Sequence, residues 1–189
     1  MDVLKNQAEC PSAAVGAVVD LVRAALAAYA GPARIDIDDI EQLVGVLHVM
    51  RPGRAEFAFF DGWLMMLREE WSDAARLFRD LADRSLCLPA SRGMLLRCLK
   101  AAQEPGWQEE ARKLVEEGGD DEVARLARVL LASDDVKQAV AAAKRTGRFV
   151  APDSAREFES GARAEAGGAA AAPSQTTSDM QLVLQYMRI

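Results

Sequence analysis

Apolar residues return along this chain at intervals of three and four, the spacing of one face of an α-helix. Between positions 13 and 30 they are Val15, Val18, Val19, Val22 and Leu26, and Gly31-Pro32 supplies the stop. Asp36 or Asp38 offers an N-cap for a second helix striped by Ile40, Leu43, Val44 and Leu47, which should end before Arg51-Pro52-Gly53. A third helix is predicted over 54–69. It carries Phe57, Phe59, Phe60, Trp63, Leu64, Met66 and Leu67, so it is apolar on nearly every side. A fourth is expected to start at Ser72 as N-cap. Ala74, Leu77, Phe78 and Leu81 line one of its faces, and Arg76, Arg79, Asp80 and Asp83 the other. The same rhythm predicts helices over 88–101, 107–117, 121–132 and 136–144, with punctuation at Pro105-Gly106 and Gly118-Gly119. No window alternates apolar and polar residues with β-branched enrichment, so no strand is expected. The helical domain is read over 12–150.

A helix apolar on all sides must be covered on all sides, so the third helix requires neighbours that sandwich it. An internal repeat supplies them. "WSDAARLF" begins at Trp71 and "WQEEARKL" at Trp107, 36 residues on, with Ala75 and Ala111, and Arg76 and Arg112, in register. One helix pair per unit of that length is the pattern of a helical solenoid. Gly62, Ala74 and Phe78 resemble tetratricopeptide repeats in their spacing. There a small residue of the first helix admits a small residue of the second, and an aromatic four positions later fills the gap. In the following unit Leu96 or Cys98 stands near the glycine position and Leu114 near the aromatic one. The expected fold is all-α: tetratricopeptide-like helical hairpins stacked as a short solenoid, with a flexible C-terminal tail. Gly62, Trp63, Trp71, Ala74, Phe78, Trp107 and Ala111 form the repeat signature, with Trp71 expected to pack between helices.

The tail has a different composition. Residues 151–178 include "AEAGGAAAAPSQTTS", which reads as a flexible linker. Residues 179–189 then place Met180, Val183, Leu184 and Met187 on one helical face, behind a Ser178 and Gln181 capping box. This short amphipathic helix is a candidate for docking on a partner or in the protein's own groove.

Charge and cysteine content narrow the function. A formal net charge of −6, with no Lys/Arg cluster, argues against a nucleic-acid phosphate backbone as partner. Cys10, Cys87 and Cys98 lack CxxC spacing and are odd in number, which suits reduced thiols in a cytoplasmic protein. The run over 13–30 is interrupted by Asp20 and Arg23 and has no basic stretch immediately before it. It is expected to be neither a signal peptide nor a membrane span.

Catalytic patterns are sparse. His48 is the single histidine and has no Cys, His or carboxylate set at ligand spacing, so a structural or surface role is expected. The cysteines are expected to be small buried hydrophobes, there being no base placed to activate them. Glu116, Glu117, Asp120, Asp121 and Glu122 surround Gly118-Gly119 without the alternating ligands and distal Glu of a calcium loop. No glycine-rich phosphate loop and no nucleophile elbow is present. Neither a catalytic residue, nor a metal site, nor a cofactor is expected.

The stretch "LVGVLHVMRPGRAEFAFFDGWLMMLREEWSDAARLFRDL" resembles the HrpB/HrpK-type proteins of Hrp type III secretion systems. The likeness runs over residues 37–135. Leu47, Arg51-Pro52, Ala55-Glu56, Phe60-Asp61, Gly62-Trp63, Trp71, Ala74, Arg76, Trp107 and the Gly-Gly-Asp-Asp turn at 118–121 carry it. The resemblance implies a non-enzymatic accessory or assembly protein of a bacterial secretion machine. Its partner would be a needle, pilus or export subunit that it chaperones in the cytoplasm. The alternative is a periplasmic assembly factor that binds peptidoglycan; self-association into a homo-oligomer stays open.

Overall fold

A computed structural model describes residues 10–29, 35–118 and 122–156. Among these, every regular element is helical: α1 (Ser12–Tyr29), α2 (Ile37–Met50), α3 (Ala55–Leu67), α4 (Trp71–Asp83), α5 (Ala90–Ala101), α6 (Trp107–Gly118) and α7 (Glu122–Thr146). A further helical turn covers residues 153–156. The all-α reading therefore holds, with helices packed on their neighbours in the chain. The linker and terminal helix expected beyond residue 156 lie outside the described residues. So does the Asp120-Asp121 part of the acidic turn.

The chain divides into two compact units between Ser91 and Arg92. In the first, α1 packs on α2, α2 on α3 and α3 on α4. The Asp36 side chain caps α2 by accepting from the Asp38 N–H at 3.1 Å. The all-apolar α3 buries Phe57, Phe59, Phe60, Gly62, Trp63 and Leu64. The sandwich required by its composition is thus provided by α2 and α4.

α3 meets α4 at Gly62. A Cβ built there would stand 2.6 Å from Cζ of Phe78, a ring that is itself fully buried. Glycine is needed because the aromatic ring occupies the volume a side chain would take. Phe59 packs edge-on against that ring at 5.4 Å and against Trp63 at 6.2 Å.

The start of α4 differs from the sequence expectation. The helix begins at Trp71, Glu70 holds the cap position without a side-chain cap bond, and Ser72 lies inside. α3 closes in a Schellman motif: Glu69 N–H donates to Met66 O, and Glu70 N–H to Met65 O. Glu70 O then accepts from Ala74 N–H, so one residue ends one helix and starts the next. No room is left for a serine cap. Trp71, at this corner, is half-buried rather than fully enclosed, unlike Trp63 and Trp107 at 3% and 4% exposure.

In the second unit α6 packs closely on α7. The predicted break between two helices at 133–135 does not occur; α7 runs unbroken for 25 residues. Neither Gly nor Pro interrupts Ser133-Asp134-Asp135, and Asp134 accepts a hydrogen bond from Gln138 one turn on. Asp135 accepts from Ser154 Oγ at 2.6 Å, which ties the turn at 153–156 back to α7. Lys100 joins the helices of this unit. Its Nζ donates to Leu130 O at 2.6 Å and lies 5.1 Å from the centre of the Trp107 ring.

Candidate binding surface

The residues singled out in the sequence fall into two groups. Gly62, Trp63, Ala74 and Phe78 come together in the α3–α4 hairpin of the first unit, all buried. Trp107 and Ala111 are buried in α6 of the second, with Leu114 one turn beyond Ala111. Trp71 and Trp107 each open a helix, and Ala75 and Ala111, four residues in, are both buried. The repeat is thus a repeat of helix starts and of the face each helix hides. Met180, Val183, Leu184 and Met187 lie outside the described residues.

The ionisable residues are occupied with packing. His48 Nε2 lies 2.9 and 3.1 Å from the two carboxylate oxygens of Asp61, bridging α2 and α3, with Phe57 edge-on to the imidazole at 6.0 Å. Burial pushes the Asp61 carboxyl above its usual value, and the neighbouring His48 opposes that shift. Arg68, at the end of α3, donates to both carboxylate oxygens of Glu41 and thereby holds Glu41 below its usual value. Arg51 donates to Cys10 O at 2.9 Å, fixing the chain just before α1 to the end of α2. Burial pushes the Cys98 thiol up to about 12, and it also raises that of Cys87. Neither is an activated nucleophile. Among the described residues no group of three His, Cys, Asp or Glu side chains is placed to hold a metal ion.

What remains is surface. Its large apolar residues are scattered, with Leu21 and Tyr29 on α1, Val46 and Val49 on α2, and Leu88, Val140, Phe149 and Val150 further on; α1 adds a regular run of small ones. This helix buries Val22, Ala25 and Leu26 and packs on α2. The flank beside that buried stripe carries Ala14, Ala17, Leu21, Ala24 and Ala28, of which the first four are exposed and Leu21 is 52% accessible. Those five positions are spaced three and four apart in strict alternation, the a/d spacing of a helix–helix seam. Asp20 and Arg23, paired at 3.6 Å, lie off the seam. By length and composition α1 would suffice to cross a membrane, with a mean hydropathy of 1.5 over 18 residues. Its buried stripe of Val22, Ala25 and Leu26 is engaged by α2, and the rest of the helix is exposed or half-buried. The seam escaped sequence reasoning because the stripe of larger residues, Val15 to Leu26, dominates the pattern. Alanine at heptad spacing was the available signal.

Helices in adjacent pairs, with polar side chains committed to joining them, define an all-α protein built for packing. The sequence matches the family described as bacterial type III secretion protein (HrpB1_HrpK) over residues 5–136, and the chain belongs to that family. The match includes α1, which lay outside the residues carrying the resemblance. This is a family of secretion proteins and not an enzyme family. Neither a curated protein nor a solved structure gives a match to the chain.

Proposed function

We propose that this protein is a non-enzymatic assembly factor of its secretion system, acting in the cytoplasm. It binds an amphipathic helix of a needle or pilus subunit and keeps that subunit from aggregating. The observation that carries this reading is the seam on α1, an apolar helix flank four turns long that no described element covers. A flank of alanines around one leucine lets another helix approach closely, and an amphipathic helix recognises such a surface through anchors at i, i+3, i+4 and i+7. The α3–α4 hairpin supports the tetratricopeptide-like assignment, because its Gly62–Phe78 contact has the small-against-aromatic form of those repeats.

The tryptophans speak against a sugar ligand. Trp63 and Trp107 are buried and Trp71 is half-buried, whereas glycan binding draws on exposed rings edged by polar groups. The test is affinity purification of tagged full-length protein from cells expressing the complete secretion operon, beside Leu21→Glu. A small helical secretion subunit recovered in near-equal amount, and lost with Leu21→Glu, is the expected result. Recovery of the protein alone, together with salt-resistant co-sedimentation with purified peptidoglycan, would replace this reading with a cell-wall assembly factor.

A further inference from the structure

The seam on α1 has a second candidate occupant within the same chain. We propose that residues 178–189 dock along Ala14, Ala17, Leu21, Ala24 and Ala28 of their own molecule, capping the seam until a partner helix displaces them. The docking stands on its own; only the displacement rests on the proposed function.

The two surfaces match in spacing and in kind. Met180, Val183, Leu184 and Met187 repeat at the same three-and-four interval as the seam. Large flexible side chains on one helix fit against small ones on the other, and methionine adapts to the shallow hollows between alanines. Charge does not interfere. The segment carries Asp179 and Arg188, one of each sign, and the seam carries none. Each surface also lacks what the other supplies. A helix of about ten residues is marginal alone in water, and a long apolar flank is a liability when uncovered.

The tether is long enough. Residues 157–177 have the Gly/Ala/Ser/Thr-rich composition of a flexible chain. Such a linker has a root-mean-square span of about 25 Å and reaches roughly 70 Å when extended. The tether leaves the second unit at residue 156 and α1 belongs to the first; each compact unit is about 30 Å across, so the extended reach exceeds the width of the two together. Joined to the same chain, it meets the seam at an effective concentration on the order of millimolar, well above that of the same segment on a second copy.

Amide hydrogen exchange on the full-length protein, followed by mass spectrometry over a range of concentrations, tests this. Residues 178–189 are expected to exchange about tenfold or more slowly than an unstructured chain, equally at all concentrations. That protection should disappear in Leu184→Glu, Leu21→Glu and Ala17→Glu while α3 and α4 stay protected. Leu21 and Ala17 are exposed, so those two variants keep the fold. Fast exchange of the wild-type segment overturns the proposal, as does protection that survives both α1 variants. Protection that grows with protein concentration would place a second copy's segment on the seam. Protection that appears only with phosphatidylethanolamine/phosphatidylglycerol vesicles would make the segment a membrane ligand. Tail protection with no secretion subunit recovered on purification would count against the proposed function and leave the docking intact.

Discussion

The α3–α4 and α5–α6 pairs descend from one sequence pattern and are built differently. Both first helices close in the same Schellman motif. Glu69 and Gln103 take the left-handed position, with φ of 62° and 54°, and each motif has the same pair of hydrogen bonds. Superposing these ends sets Leu96 at the place of Gly62. In the first pair α4 starts two residues after the left-handed residue, and in the second α6 starts four after it. Pro105 and Gly106 are the extra residues, and the φ of +91° at Gly106 turns the chain into α6. The consequence is visible in what packs on what. Gly62 admits the ring of Phe78, so α3 and α4 pack closely. With fully buried Leu96 instead of glycine, α5–α6 is not among the close pairings, and α6 packs on α7. The small residue of α5 is Gly93, and it faces Leu126 and Val123 of α7, where a Cβ would stand 3.4 and 3.8 Å away. The glycine has moved by one helical turn and faces α7 where its counterpart faces the next helix in the chain.

Substitutions at six positions probe that contrast. Phe78→Ala empties the volume behind Gly62 and is expected to cost about 3–5 kcal/mol in urea unfolding. A loss below about 1 kcal/mol would mean that the ring does not hold the hairpin. Trp107→Ala should cost a similar amount, since its ring is buried under Lys100. Trp71→Ala, at a half-buried corner, should cost no more than about half of that. Equal losses at the two tryptophans would restore the full equivalence suggested by their sequence register.

Gly62→Ala is expected to cost roughly 1–3 kcal/mol by overpacking against Phe78. Adding Phe78→Leu, the residue type the second unit has at Leu114, should recover part of the loss in a double-mutant cycle. Strictly additive losses would sever the link between the two positions. The smallest effect belongs to the feature both pairs share. Glu69→Gly and Gln103→Gly relieve a left-handed residue and should each stabilise by about 0.5–1 kcal/mol. A lowered melting temperature in either would show that its side chain outweighs the backbone term.

Most of the helical pattern was legible because apolar periodicity and Gly/Pro punctuation agree over 12–118. The Gly62–Phe78 contact was legible too, as a spacing. What the sequence hid depends on backbone partners and on distance. Ser72 looked like a cap because the Schellman closure at Glu69 uses a glutamate where glycine is the common signal. Ser133-Asp134-Asp135 looked like a break, though side-chain bonds along and beside α7 satisfy it. Asp61 gave no sign of meeting His48, because the pairing depends on the register between α2 and α3 and not on either helix alone. The seam on α1 was obscured by its own chemistry, since alanine reads as a helix former before it reads as a surface.

The position of Cys98 carries a consequence for the environments a secretion component meets. A fully enclosed thiol that ionises only near 12 is almost never a thiolate at the pH of a bacterial compartment. Thiol–disulfide exchange proceeds through the thiolate, so the redox buffer outside has no handle on it. The core thiol of the second unit therefore stays out of disulfide exchange under reducing and oxidising conditions alike, for as long as that unit remains folded.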